Sequence, residues 1–224
     1  MTEPTEQRVG QVMASLQALQ QRVLQVQDGL ARKEVTFSDQ SGVVQATCDG
    51  TGNLTAIDIK AVALSYPERL GEQISEAVAG VWLRSDKLQA KAHERYLSEL
   101  PNPRSFVSLL SGEGSGRDYL SLGDYGSPKI RDSVAEYEER RRATLGVVSS
   151  LASRTVRQEI GSNVGMLEIS LDRSWIRVAI RPEVPKQVGL ERLAAQFVTA
   201  VHQAEVNAAS NVRMLLEVAN GRGV

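Results

Sequence analysis

The chain has one cysteine, Cys48, and only two histidines, His93 and His202. A single thiol precludes a disulfide within the chain and a multi-cysteine zinc site, and its place in an alternating strand marks Cys48 as a small buried hydrophobe. Two histidines so far apart, with no carboxylate pair beside an evident cleft, assemble no nucleophile and base. The expectation is a protein without enzymatic activity, cofactor or metal. Aromatic residues make up 4% of the chain and are not interleaved with basic ones in the way that stacks single-stranded bases. No apolar run is long enough to cross a bilayer, and the opening MTEPTEQRVG has no basic stretch followed by an apolar core. No membrane partner and a cytoplasmic location are therefore expected. An excess of one charge is missing too. At a formal net charge of −1 there is no global attraction to nucleic acid, so binding of that kind must come from a local patch and be salt-sensitive.

What is present is organised around Glu34 to Lys60, EVTFSDQSGVVQATCDGTGNLTAIDIK. Three short runs of β-branched and apolar residues are separated by Ser38-Asp39-Gln40-Ser41-Gly42 and Asp49-Gly50-Thr51-Gly52-Asn53, both rich in turn residues. Near-alternation in Val43, Val44, Ala46, Cys48 and again in Leu54, Ala56, Ile57, Ile59 predicts a half-buried antiparallel meander. Asp58, at the end of the third run, reads as an exposed strand residue. A second meander is expected over Arg154 to Pro182. With Gly42 laid on Gly165, VVQATCD matches MLEISLD, and after a turn two residues shorter Ile57 and Ile59 fall on Val178 and Ile180. Each meander follows a polar helix and precedes a helix that opens near a proline, Pro67 or Pro185. The order helix, three strands, helix thus repeats, which reads as an internal duplication.

Around the strands, periodicity at threes and fours predicts four helices. Glu6 to Lys33 has an apolar seam through Val9, Val12, Met13, Leu16, Leu19, Val23, Val26 and Leu30, suited to packing along another helix. Leu70 to Leu100 follows Pro67 at its first turn, and Lys129 to Ser153 and Val188 to Ala219 complete the set. Beside the apolar face of the second helix, Arg84, Lys87, Lys91 and Arg95 form a basic stripe, which is either a solvated face or a phosphate-contacting one. Arg140, Arg141 and Arg142 follow a run of glutamates on the third helix, two of them with an acid four residues earlier. His93 sits off both rows of its helix. Between the halves, 101 to 128 is rich in Gly and Pro and reads as a linker around the short apolar piece Phe106 to Leu110. Gly112-Glu113-Gly114-Ser115-Gly116 within it lacks the leading strand and the Lys-Ser or Lys-Thr pair of a phosphate loop. The organisation expected is repeat 1 at 1–100, linker at 101–128 and a degenerate repeat 2 at 129–224, with room for two domains of roughly 100 residues, each with a modest core.

The polar helix, then EVTFSDQSGVVQATCDGTGNLTAIDI, then a Pro-led long helix resembles the YbaB/EbfC family of bacterial nucleoid-associated proteins. Val35, the turn ending in Gly42, Asp49-Gly50 and Ile57-Asp58-Ile59 carry the resemblance, well over about 6 to 100 and more weakly over about 129 to 218. It implies an α+β fold that dimerises through sheets and helices, long helices projecting like tweezer arms, a nucleoid location and binding of double-stranded DNA with low sequence specificity. Two copies in one chain suggest either an intrachain pseudo-dimer or an intertwined homodimer. The second copy departs by carrying Asp172-Arg173-Ser174-Trp175 where the first has Asp-Gly. Two-copy relatives of near-neutral charge resemble actinobacterial ones, some accompanying specialised secretion, so an adaptor or chaperone-like partner of another protein is the competing implication. On the DNA reading, Arg84, Lys87, Lys91 and Arg95, with Arg140 to Arg142, contact phosphates without reading bases. Trp82 and Trp175, one per repeat, are expected to be buried between the halves.

Overall fold

The computed structural model describes residues 3–98 and 143–219. Helix α1 spans Glu3–Ala31 and leads into strands β1 (Glu34–Ser38), β2 (Val44–Asp49) and β3 (Leu54–Ile59), an antiparallel sheet in that order. Two 3-10 turns, Ala61–Ser65 and Pro67–Arg69, lead into α2 (Leu70–Ser98), with Pro67 at the first position of the second turn. Residues 143–150 are helical (α3), and a 3-10 turn at Leu151–Ser153 then opens β4 (Thr155–Ile160), β5 (Gly165–Ser170) and β6 (Ile176–Ile180), a second antiparallel sheet in chain order. The helix expected from Val188 is in fact two, α4 (Val184–Val188) and α5 (Leu190–Ala219). Gly189 separates them at φ +85°, donating its N–H to the Pro185 carbonyl. The linker and the docked turn expected within 101–128 lie outside the described residues.

Register explains why these runs became strands. Val35 faces Cys48, Phe37 faces Ala46, and Val44 and Ala46 face Ile59 and Ile57, so one face of the sheet collects the apolar side chains. The turn β2–β3 is built by Asp49. Its Oδ1 accepts from the Thr51 and Asn53 backbone N–H groups at 2.9 and 3.0 Å and from the Thr51 hydroxyl at 2.6 Å, while Oδ2 accepts from Asn53 Nδ2 at 3.0 Å. Partial burial pushes the Asp49 carboxyl up, but the hydrogen bonds from Thr51 and Asn53 outweigh it and hold it below its ordinary 3.8. A carboxyl lowered on folding stabilises the protein above its unfolded value, and that contribution is lost as pH falls through the lower folded one. Asp49→Ala is therefore expected to cost about 1–3 kcal/mol at neutral pH, through the turn donors it leaves unpaired, and to flatten the acid limb of a pH-stability curve measured by denaturant titration.

The glycine correspondence expected between the two meanders is corrected by the pairing. Gly42 is a turn residue at φ +67°, whereas Gly165 lies inside β5, paired with Ile180, with the Ala179 carbonyl oxygen 2.1 Å from where a Cβ would stand. The β4–β5 turn has two left-handed positions, Gly161 at φ 53° and Asn163 at φ 65°, and it is Asn163 that stands where Gly42 does. Nor is the β5–β6 turn shorter than β2–β3. Ile169 pairs with Ile176, whereas Cys48 pairs with Leu54 across a bulge, which leaves the second connection one residue longer.

Each long helix lies on both sheets. Helix α2 packs on β1 and β2 and also on β6; α5 packs on β4 and also on β3. The core is consequently a single cluster shared by both sheets rather than one per sheet. At the α2–β6 crossing, Ser75 accepts the Val178 N–H at 2.9 Å and donates to the Gly71 carbonyl at 2.8 Å. Gly71 is needed there, because a Cβ would stand 2.4 Å from the Val178 oxygen. At the α5–β3 crossing, His202 Nε2 lies 2.6 Å from the Leu54 carbonyl oxygen. Third-strand edges that would otherwise be open templates are thus closed by the opposite helix. Cys48 is fully buried under α2, and burial pushes its thiol up to about 11. Trp82 is buried as expected. Trp175 is half-buried and turns its indole N–H to the Ala152 carbonyl at 3.2 Å, packing on the 3-10 turn before β4.

Candidate nucleic-acid interface

The first halves of α2 and α5 are buried through Leu70, Ile74, Val78 and Val81 and through Leu193, Phe197, Val201 and Ala204. Beyond Ser85 and Ala208 the apolar rows continue on helix that the sheets no longer cover, where Leu88 and Val212 are only half-buried. Among the described residues, neither sheet covers these C-terminal halves. On one side, the end of α1 fills part of that space.

Helix α1 is tied to the body at its last turn. Gly50 donates its N–H to the Leu30 carbonyl at 3.1 Å, an approach only glycine permits, since a Cβ would stand 2.5 Å from that oxygen. Between the end of α1 and the outer half of α2 lies a groove of about 400 Å³. Its floor includes Leu30 and Leu88, and its rim holds four cations: Arg22, Lys33 just past the end of α1, Lys91 and Arg95. Among the described residues, no carboxylate lines it. Side chains with long apolar stems beside an apolar floor keep their charged heads at the water boundary, where a polyanion can reach them.

The predicted basic stripe is divided by this geometry. Lys91 and Arg95 line the groove, whereas Lys87 is exposed on α2 outside it. Arg84 folds back onto the first sheet, donating to the Thr36 carbonyl at 2.8 Å with its guanidinium carbon 4.8 Å from the centre of the Phe37 ring. Arg84 thus holds to the edge strand β1, outside the groove. Arg140, Arg141 and Arg142 lie outside the described residues.

Arg22 and Lys33 were not among the residues singled out from the sequence. They stand on one helical stripe with Val26 and Gly29, a signal hidden by the glutamines around it. In the second half, Arg213 on the outer part of α5 is paired with Glu217 at 2.9 Å. Along α1, Val23 of the predicted apolar seam and its neighbour Leu24 are 40% and 52% exposed. Among the described residues no group of three or more His, Cys, Asp and Glu is placed to hold a metal ion, and no helix is long and apolar enough to cross a membrane.

Residues 6–100, which contain α1, the first sheet, α2 and the whole groove, match the YbaB/EbfC DNA-binding family. No curated protein matches the chain.

Proposed function

We propose that the chain is a non-enzymatic, nucleoid-associated DNA-binding protein of low sequence specificity, and that the groove between α1 and α2 is its phosphate-binding surface. One observation carries the reading: Arg22, Lys33, Lys91 and Arg95 line one groove, with no carboxylate among its described lining, in a protein whose net charge is −1, inside the segment that matches a DNA-binding family. Arg22, Lys33, Lys91 and Arg95 present charge in the form that neutralises phosphates, which positions a duplex without reading its sequence. With about four phosphates neutralised, log K falls with log salt at a slope near −3.6. Raising salt from about 50 to about 200 mM then lowers affinity on the order of 100-fold. Anisotropy titration with random-sequence duplexes at the two salt concentrations measures that slope. Equal affinity at both, or none at the lower, would sink the reading.

The same proposal includes an internal duplication folded as an intrachain pseudo-dimer. Its support is a two-fold correspondence. The two sheets share strand order, and Gly42 with Asn163 and Gly52 with Arg173 are equally spaced pairs of left-handed residues. The buried rows Leu70, Ile74, Val78, Val81 of α2 and Leu193, Phe197, Val201, Ala204 of α5 keep the same spacing. Each half covers the third strand of the other, so closure needs no second chain.

A second reading, an adaptor or chaperone-like interaction protein, is favoured by Val23 and Leu24, which are exposed on α1. On that reading Val23→Asp/Leu24→Asp removes partner binding and leaves DNA titration at background throughout.

A further inference from the structure

The tips of the two β-hairpins meet where the halves join, and their chemistry there is unequal. Arg173, at φ 60° in the β5–β6 turn, donates from its guanidinium to the Gly52 carbonyl in the β2–β3 turn. The same guanidinium lies 2.9 Å from the Glu205 carboxylate of α5, and its carbon lies 4.9 Å from the centre of the Trp82 ring of α2. Gly52 and Arg173 hold equivalent left-handed positions, and Trp82 and Glu205 follow equivalent buried rows on the two long helices. One guanidinium therefore serves a carbonyl from one half, an acid from its own and an aromatic face from the other.

We infer that Arg173 is the specificity-determining residue for pairing between the halves: it fills the space that Gly52 leaves open, so that unlike halves fit and like halves do not. A pair of first halves would set Gly52 against Gly52, leaving the carbonyl without its donor and the Trp82 face without its cation. A pair of second halves would bring two arginines into room for one, because the Gly52 Cβ position is already only 3.4 Å from the Arg173 Nη2. Arginine at a left-handed φ is unfavourable in itself, so the three contacts must offset that strain. Without Arg173, Glu205 is left as a carboxylate only 17% exposed with its cation gone. This inference rests on the two-fold correspondence and not on DNA binding.

The test is a reciprocal exchange in the full chain, read by thermal unfolding. Arg173→Gly is expected to lower the midpoint by about 5 °C. Gly52→Arg, which places two arginines at the join, is expected to lower it by about 10 °C or more, or to abolish the cooperative transition, while Gly52→Ala, carrying only the φ penalty, falls less. In the double variant Gly52→Arg/Arg173→Gly, one arginine again stands between Trp82 and Glu205, now from the other side, and the midpoint is expected to recover above that of Gly52→Arg alone. A double variant no more stable than Gly52→Arg, or a Gly52→Arg protein as stable as Gly52→Ala, overturns the inference. Because folding is the readout, a negative DNA titration leaves this result standing on its own.

Discussion

Lys33→Glu/Lys91→Glu is expected to weaken duplex binding on the order of 100-fold at about 50 mM salt and to bring the salt slope from about −3.6 to −1.8 or below. The two lysines stand on opposite walls of the groove, one just past the end of α1 and one on α2, so the reversal removes half of its cations and sets two anions facing the phosphates. Both are exposed, and surface substitutions of this kind change stability by no more than about 0.5 kcal/mol, so lost binding would not be lost folding. Lys87→Glu is the internal control. It carries the same charge change on the same helix but lies outside the groove, and a change of less than about threefold is expected from screened long-range charge alone. If Lys87→Glu and Lys33→Glu/Lys91→Glu weaken binding equally, the groove is not the site and only the helix's overall charge matters. If neither weakens it, the DNA contacts lie elsewhere.

Phe197→Ala is expected to cost about 3–5 kcal/mol, out of the roughly 5–15 kcal/mol that holds a domain folded. Phe197 is fully buried on α5, the helix that lies on β4 of its own sheet and on β3 of the other, so the cavity opens in the shared core. The consequence reaches both halves. Trp82 on α2 and Trp175 beside β6 are expected to report one coincident transition, shifted down by about 10 °C or more. Two separated transitions, with the Trp82 signal unmoved by the substitution, would show that the sheets are stabilised independently and that the common core is not cooperative.

The strands and helices were legible because their patterns are local. Alternation in Val44, Ala46 and Cys48 and the Asp49-Gly50 turn chemistry depend on the residues themselves, and so does the threefold and fourfold spacing of Leu70, Ile74, Val78 and Val81. Which sheet a helix lies on is not local. Nothing in the period of α5 says that His202 faces the Leu54 carbonyl, and nothing in α2 says that Ser75 caps β6. The candidate site split along the same line. Lys91 and Arg95 could be found because they share a helical row, whereas Arg22 and Lys33 become their neighbours only when Gly50 draws Leu30 onto the β2–β3 turn. Arg84 shares that row, which does not reveal that its guanidinium stacks on Phe37. The glycine match between Gly42 and Gly165 failed for a different reason. The position equivalent to Gly42 is held by Asn163, and the one equivalent to Gly52 by Arg173, so aligning glycine with glycine could not find them.

The crossing of α5 onto β3 also sets an order of events during synthesis. Leu54, Ile57 and Ile59 leave the ribosome early, yet the helix that buries them begins at Leu190. At about 5–20 residues per second the wait is on the order of 10 s. Throughout that interval a strand with an open edge and an apolar face is exposed on a nascent chain, which is the kind of surface that aggregates or recruits chaperones. A product that ends before α5 would keep β3 bare and would be removed by proteolysis.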